Sequence, residues 1–191
     1  MTGSTSPALA VAAIAAALTL PSASHAAELQ AELGLNGVAS TWAGDGGAGS
    51  QVRVGLRAWR WVTVDFAGWN QLLTVDQRNA TGITFGIAAT YPSASVRPSV
   101  RLYAVHQHEE GWVSVKENPW GTLFGIGAGI RHRAGGGLTA AVEAPFATGR
   151  FGEYYAFANA NATWFPDASL GPSAFYGAAL GVGTNYALDF K

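Results

Sequence analysis

The chain has no cysteine, which excludes disulfides and lipid attachment through an N-terminal Cys. It is also short of charge. Asp, Glu, Lys and Arg make up 12% of its 191 residues, against roughly 25% in soluble domains. The net charge is only −1 and the arginines are scattered without a basic cluster, which argues against a nucleic-acid partner. A globule so poor in charge would stay in solution badly, whereas a surface turned to lipid needs no charged exterior. Beyond the N-terminal segment no run approaches ~18 apolar residues, so no transmembrane helix is expected. What the chain does have is 49% hydrophobic residues, 25 Gly and 7 Trp.

The N-terminal segment reads as an export signal. Pro7 to Leu20 is a run rich in Ala, Val, Leu and Ile, followed by small residues that end in Ser24-x-Ala26. The run is too short to span a membrane, and the pattern is that of a cleaved secretory signal peptide over residues 1–26. It departs from the usual form in having no Lys or Arg before Arg53. Cleavage after Ala26 leaves residues 27–191, about one domain.

That remainder alternates with period two. In Phe175 to Phe190, the residues Tyr176, Ala178, Leu180, Val182, Thr184, Tyr186, Leu188 and Phe190 share one face of an extended strand. The other face is mostly Gly and Ala, which suits a crowded interior. Eight further runs alternate more or less cleanly: 28–38, 51–59, 61–69, 81–91, 99–106, 123–133, 138–146 and 154–165. Nine runs conflict with the even strand number of single-chain bacterial barrels. Residues 52–68 as one long strand, or a turn at 58–60 with Arg57 opposite Trp61, would leave the phase intact; a bend at 183–185 would split the last run. Eight strands is the expectation and ten the alternative. The face rule turns Leu33, Val54, Val64, Phe85, Ile126 and Leu180 outward. Trp42, Trp69, Trp112 and Trp120 lie in or beside the longer connections, and Trp59 and Trp61 flank a tight turn, as interfacial girdles would. Residues 134–137 read as a short turn, preceded by a basic boundary at Arg131-His132-Arg133.

The ending Tyr186-x-Leu188-x-Phe190 resembles the aromatic-terminated last strand of bacterial outer-membrane β-barrels, with Lys191 as an extra residue. Together with the alternation and the export signal, the chain resembles the small barrels of the outer-membrane protein A, X and W type. The resemblance implies an all-β, antiparallel up-and-down transmembrane barrel in the outer membrane. It also implies insertion by the barrel-assembly machinery, with Tyr186, Leu188 and Phe190 as the assembly signal, and lipid and lipopolysaccharide as neighbours.

Candidate chemistry lies on the inward phase. Glu28, Glu32, Arg53, Arg57, Asp65, Arg101, Arg131 and Glu143 would face the lumen, where charges persist only when paired. They read as an ionic plug in a barrel with barely enough space for side chains, or alternatively as the lining of a narrow pore. His106 and His108 share a strand face and, with Glu109, could hold a divalent ion, although a solvated loop entry is the simpler reading. A lipid-modifying barrel would carry a His-x-Ser pair, but position 108 is His and Ser114 has no meaningful spacing to it. The alternation Gly125-x-Gly127-x-Gly129 reads as close packing in a strand and not as a dinucleotide fingerprint. Asn79-Ala-Thr81 and Asn161-Ala-Thr163 match a glycosylation sequon that is common by chance. A secreted lipocalin-like barrel would need a charged exterior, which Gly82, Gly86, Gly125 and Gly127 do not supply. The expectation is a non-enzymatic membrane barrel without cofactor, with a structural or surface-interaction role.

Overall fold

The computed structural model describes residues 27–58, 61–93, 95–127, 129–150 and 152–188. Eight antiparallel strands follow one another around a closed barrel: β1 (Ala27–Ser40), β2 (Gly46–Ala58), β3 (Val62–Leu73), β4 (Arg78–Thr90), β5 (Arg97–Gly111), β6 (Arg131–Gly149), β7 (Gly152–Trp164) and β8 (Ala174–Leu188). β8 closes onto β1 in a register that opposes Leu33 to Val182 and Leu35 to Leu180. Every backbone ladder finds a neighbour, which a barrel in lipid requires because no water is present to satisfy an open edge. Among the described residues no helix is long and apolar enough to cross a membrane.

The alternation sorts the surface. Leu33, Val54, Val64, Phe85, Leu102 and Leu180 stand outward and exposed, while Gln30, Glu32, Arg57, Asp65, Arg101 and Glu143 are buried inside. A soluble protein inverts this order. An apolar belt around a polar interior is the pattern of a bilayer-spanning barrel. Trp164, Tyr176 and Tyr186 stand on the outward face near its two rims.

Glycine sets how the interior is filled. A methyl group built on Gly181 would lie 2.6 Å from the Phe157 ring, and one on Gly183 2.4 Å from the Tyr155 ring. Gly82 accommodates Trp69 and Gly86 the Arg101 guanidinium in the same way, at 2.1 and 2.6 Å. Each of these four glycines therefore leaves room for one large side chain from a neighbouring strand.

Three expectations need correction. Of residues 123–133 only 131–133 are strand, the start of β6, while 123–127 and 129–130 are helix end and loop. Pro119–Phe124 is a short helix (α2) whose N-cap Asn118 accepts from the Gly121 N–H, and it ends at Gly125 in the left-handed region, φ 68°. It follows α1 (Trp112–Glu117) within the long connection between β5 and β6. The run Gly125-x-Gly127-x-Gly129 is thus loop, not packed strand, and Ile126 is an exposed loop residue without a place in the belt. Removing this run leaves eight strands, so neither fusion of 52–68 nor a bend at 183–185 is needed. Residues 134–137 lie within β6, and Arg131-His132-Arg133 begins that strand instead of forming a turn. Between β2 and β3 the register opposes Ala58 to Val62 and Arg57 to Thr63, one step from the expected turn; residues 59–60 lie outside the described ones.

The connections at one end are the turns β2–β3, β4–β5 and β6–β7, together with the N-terminus of β1 and the C-terminus of β8; this is the turn end. The other, loop end carries L1 (41–45), L2 (74–77), L3 (112–130) and L4 (165–173). Trp42 and Trp120 fall in L1 and L3, and Trp112 opens L3, but Trp69 faces the lumen and belongs to no girdle. Asn79 is buried and Asn161 lines the lumen, so neither sequon offers an accessible asparagine.

Candidate functional site: lumen and rim

The lumen is filled in layers. Nearest the turn end, Arg97 makes a two-pronged pair with Glu153, whose Oε1 also accepts from Asn185 Nδ2 at 3.2 Å. Above it, Arg57 Nη2 donates to Glu143 Oε1 at 2.6 Å, and its Nη1 lies 3.9 Å from Glu28. Gln30 Nε2 bridges Glu143 Oε1 and the Tyr155 hydroxyl at 3.0 and 2.7 Å. Tyr155 in turn donates to Glu32 Oε1 at 3.0 Å.

The chain of contacts continues upward. Arg53 and Glu32 are cross-strand partners in the β1–β2 register, and Arg53 Nη1 lies 3.4 Å from Glu32 Oε2. Arg53 Nε is 3.8 Å from Asp65, which also accepts from Arg101 Nε at 2.8 Å and Nη2 at 2.5 Å. Arg101 further donates to Thr84 at 2.8 Å and lies over the Tyr103 ring, 4.7 Å from its centroid. Seven of the sequence-predicted lumen charges are thus brought together: Glu28, Glu32, Arg53, Arg57, Asp65, Arg101 and Glu143.

Arg131 is placed elsewhere. It is 3.6 Å from Glu109, at the loop end. Fully buried Glu109 also accepts from Arg78 Nη1 at 2.5 Å, Arg133 Nη1 at 3.0 Å and, closely, Gln107 Nε2. Arg78 reaches on to Asp45 in L1, and Arg133 donates to the Pro172 carbonyl in L4. Their guanidinium groups lie over Trp42 (4.7 Å) and Phe165 (4.1 Å). Sequence reasoning missed this second cluster, although the inward phase of Arg133 and Glu109 is that of Arg101 and could have found it. Outside the lumen, in L4, hydrogen bonds from the Ser169 hydroxyl and N–H hold the Asp167 carboxyl below its ordinary range.

Between the two clusters lies an apolar layer of Leu73, Ala80, Val105, Phe165 and Phe175, against which Trp69 and Tyr103 pack. Beneath it is a cavity of about 60 Å³ lined by groups including Glu32, Asn36, Arg53, Trp69 and Asn159. Asn36 Oδ1 and Asn159 Oδ1 are buried there without a protein partner. The volume suits a few waters bridging such groups.

The histidines lie outside. His106, His108 and His132 stand on the outward face of β5 and β6, and one ligand nitrogen of each lies within 4.8 Å of the others. His108 opposes His132 across the register. Glu109 points into the lumen, away from His106 and His108, and the third group beside those two rings is His132. Ser114 lies in α1, where its carbonyl accepts from the Asn118 N–H. Tyr186 and Leu188 end β8, and Phe190 lies outside the described residues.

No family model matches the sequence, and no curated protein does. The fold has clear counterparts among solved structures. Neisserial surface protein A superposes with a TM-score of 0.57 at 12% identity, covering 85% of this chain and 97% of that one. The N-terminal β-barrel domain of Pseudomonas aeruginosa OprF gives 0.52 at 14%, covering 84% and 99%. The outer-membrane protein OprG of Pseudomonas aeruginosa gives 0.52 at 7%, covering 85% and 97%. With its closed antiparallel sheet, apolar belt and filled polar interior, this chain has the fold of the small eight-stranded barrels of bacterial outer membranes.

Proposed function

We propose that this chain is an integral, non-enzymatic barrel of a bacterial outer membrane with a structural or surface-interaction role. The filled lumen carries the reading. Two ionic clusters separated by an apolar layer enclose a cavity of about 60 Å³, too little for a solute to pass. The lumen charges tie strands together, and the chemistry left accessible is that of L1 to L4. The apolar belt and the likeness in fold to outer-membrane barrels support the location. In this reading residues 1–26 export the chain and are removed. Tyr186, Leu188 and Phe190 are read by the barrel-assembly machinery, and lipid and lipopolysaccharide surround the belt. Neither nucleic acid nor a cofactor has a part.

Planar-bilayer recording of the refolded protein tests the closed lumen. The expected result is no steady single-channel conductance; stable openings in the wild type would replace the plugged barrel by a pore. Location is tested by cell fractionation with heat-modifiable gel migration, and Phe190→Ala is expected to lower the folded amount in the outer membrane. An unchanged yield would remove the assembly role from the terminal strand.

A further inference from the structure

We propose that His106, His108 and His132 form a binding site for a late first-row divalent cation of the Zn²⁺ class, at the loop-end rim of the barrel. This goes beyond the structural reading above and does not depend on the lumen. Three of the four histidines in the chain meet here, two from β5 and one from β6. His132 Nδ1 and His106 Nε2 are 3.4 Å apart. A tetrahedral Zn²⁺ with bonds of about 2.0–2.1 Å holds two ligand nitrogens roughly 3.3–3.4 Å apart, so this pair already has the required spacing. The third ring lies close to both, with centroids 4.7 Å from His106 and 4.8 Å from His132.

The surroundings favour a ligand over a solvated surface. His108 is 5% exposed, and its Nδ1 is buried with no hydrogen-bond partner among the described residues. An imidazole nitrogen so placed is costly unless it meets a donor or a metal. L3 folds against it, because a methyl group on Gly125 would lie 2.4 Å from the ring. His106 and His132 remain exposed, so an ion can enter from outside. Trp164 pairs with Gly136 on β6, and His132 lies four residues nearer the loops than that glycine. Three imidazoles without thiolate select Zn²⁺, Cu²⁺ or Ni²⁺ over Ca²⁺ and Mg²⁺, and leave a fourth position for water. An ion held there would join β5 to β6 at the base of L3.

The test uses the full chain without a histidine tag, refolded in detergent and titrated with Zn²⁺ by calorimetry and with Co²⁺ by visible absorption. The expected result is one Zn²⁺ per chain and a Co²⁺ d–d band of a four- or five-coordinate site. His106→Asn and His132→Asn, at exposed positions where folding is not at stake, should each weaken Zn²⁺ binding by about tenfold or more. Together they should abolish the Co²⁺ band, while heat-modifiable migration shows that the barrel is intact. Equal Zn²⁺ binding by the wild type and the double variant, or no binding by the wild type, would overturn the site.

Discussion

The two ends of the lumen handle buried charge differently. At the turn end, acids, arginines and two neutral bridging groups, Gln30 and Tyr155, are links of a chain that runs from Glu28 through Arg57, Glu143, Gln30, Tyr155, Glu32, Arg53 and Asp65 to Arg101. Every link between the two ends has at least two neighbours, and Gln30 also accepts from Arg53, so the loss of one leaves the rest partly paired. At the loop end one carboxylate, Glu109, is shared by Arg78, Arg131 and Arg133, and of these Arg78 also pairs with Asp45 in L1 and Arg133 reaches the Pro172 carbonyl in L4. The first arrangement distributes the cost of burial along the barrel. The second concentrates it in one residue and uses that residue to fix the loops.

The sharpest way to break this comparison is Glu109→Ala. It leaves two buried guanidinium groups and one half-exposed one without their shared carboxylate. Removing one partner of a buried pair typically costs about 3–5 kcal/mol, and the hub should lie at the top of that range. Urea unfolding of the liposome-folded protein measures it, with faster proteolysis of L1 and L4 as an accompanying signal. A cost no larger than that of a turn-end link would show that the loop end is not a hub.

Next in size is a change that touches neither cluster. Leu180 and Ile126 are equally exposed, at 69%, yet one stands in the belt and the other in L3. Leu180→Arg should cost roughly 2–4 kcal/mol in a bilayer, whereas Ile126→Arg should cost little. Comparable effects at both positions would undo the assignment of L3 to the loop end.

The same two residues mark where the sequence could be read and where it could not. Alternation with a Gly/Ala inner face identified β8 and the polar phase of β1 to β3, because period two fixes the facing of every residue once a strand is assigned. In the region of L3 the alternation of Phe124, Ile126 and Ile130 with glycines imitates a strand. The signals against it were local: Asn118 as cap, Pro119 at the first helical position and Gly125 at the end. The glycines at 135–137 resembled a turn because their use is non-local. Gly137 leaves room for the Tyr103 ring, which would lie 2.2 Å from an added methyl group. The hub at Glu109 was hidden for the same reason. Its partners come from β4 and β6, and the side chain that His106 and His108 need as a neighbour is on the opposite face from Glu109.

Within the turn-end chain, Arg53 and Glu32 test whether links share their load. Arg53→Met alone should strand Glu32 and weaken the hold on Asp65, while Glu32→Gln alone leaves Arg53 still near Asp65. The double variant should be less destabilised than the sum, with a coupling of about 1–3 kcal/mol in a double-mutant cycle. Additive effects would mean that the two act as independent charges, as in an open, hydrated lumen.

The smallest effect is expected at the rim of the same chain. Arg97 and Glu153 pair through two parallel contacts, yet their side chains are 19% and 27% exposed and border an open mouth lined also by Arg57 and Asn185. Water competes for both ions, so the geometry adds little: Arg97→Gln should cost no more than about 1 kcal/mol. Salt separates this pair from the interior. Raising ionic strength from 0.01 M to 1 M shortens the screening length from about 30 Å to about 3 Å. The difference between wild type and Arg97→Gln should therefore shrink toward zero, while the cost of Glu109→Ala stays nearly constant because salt does not enter that site. A rim pair that kept its full contribution at high salt would be one more buried link, and the contrast between the accessible mouth and the buried clusters above it would fail there.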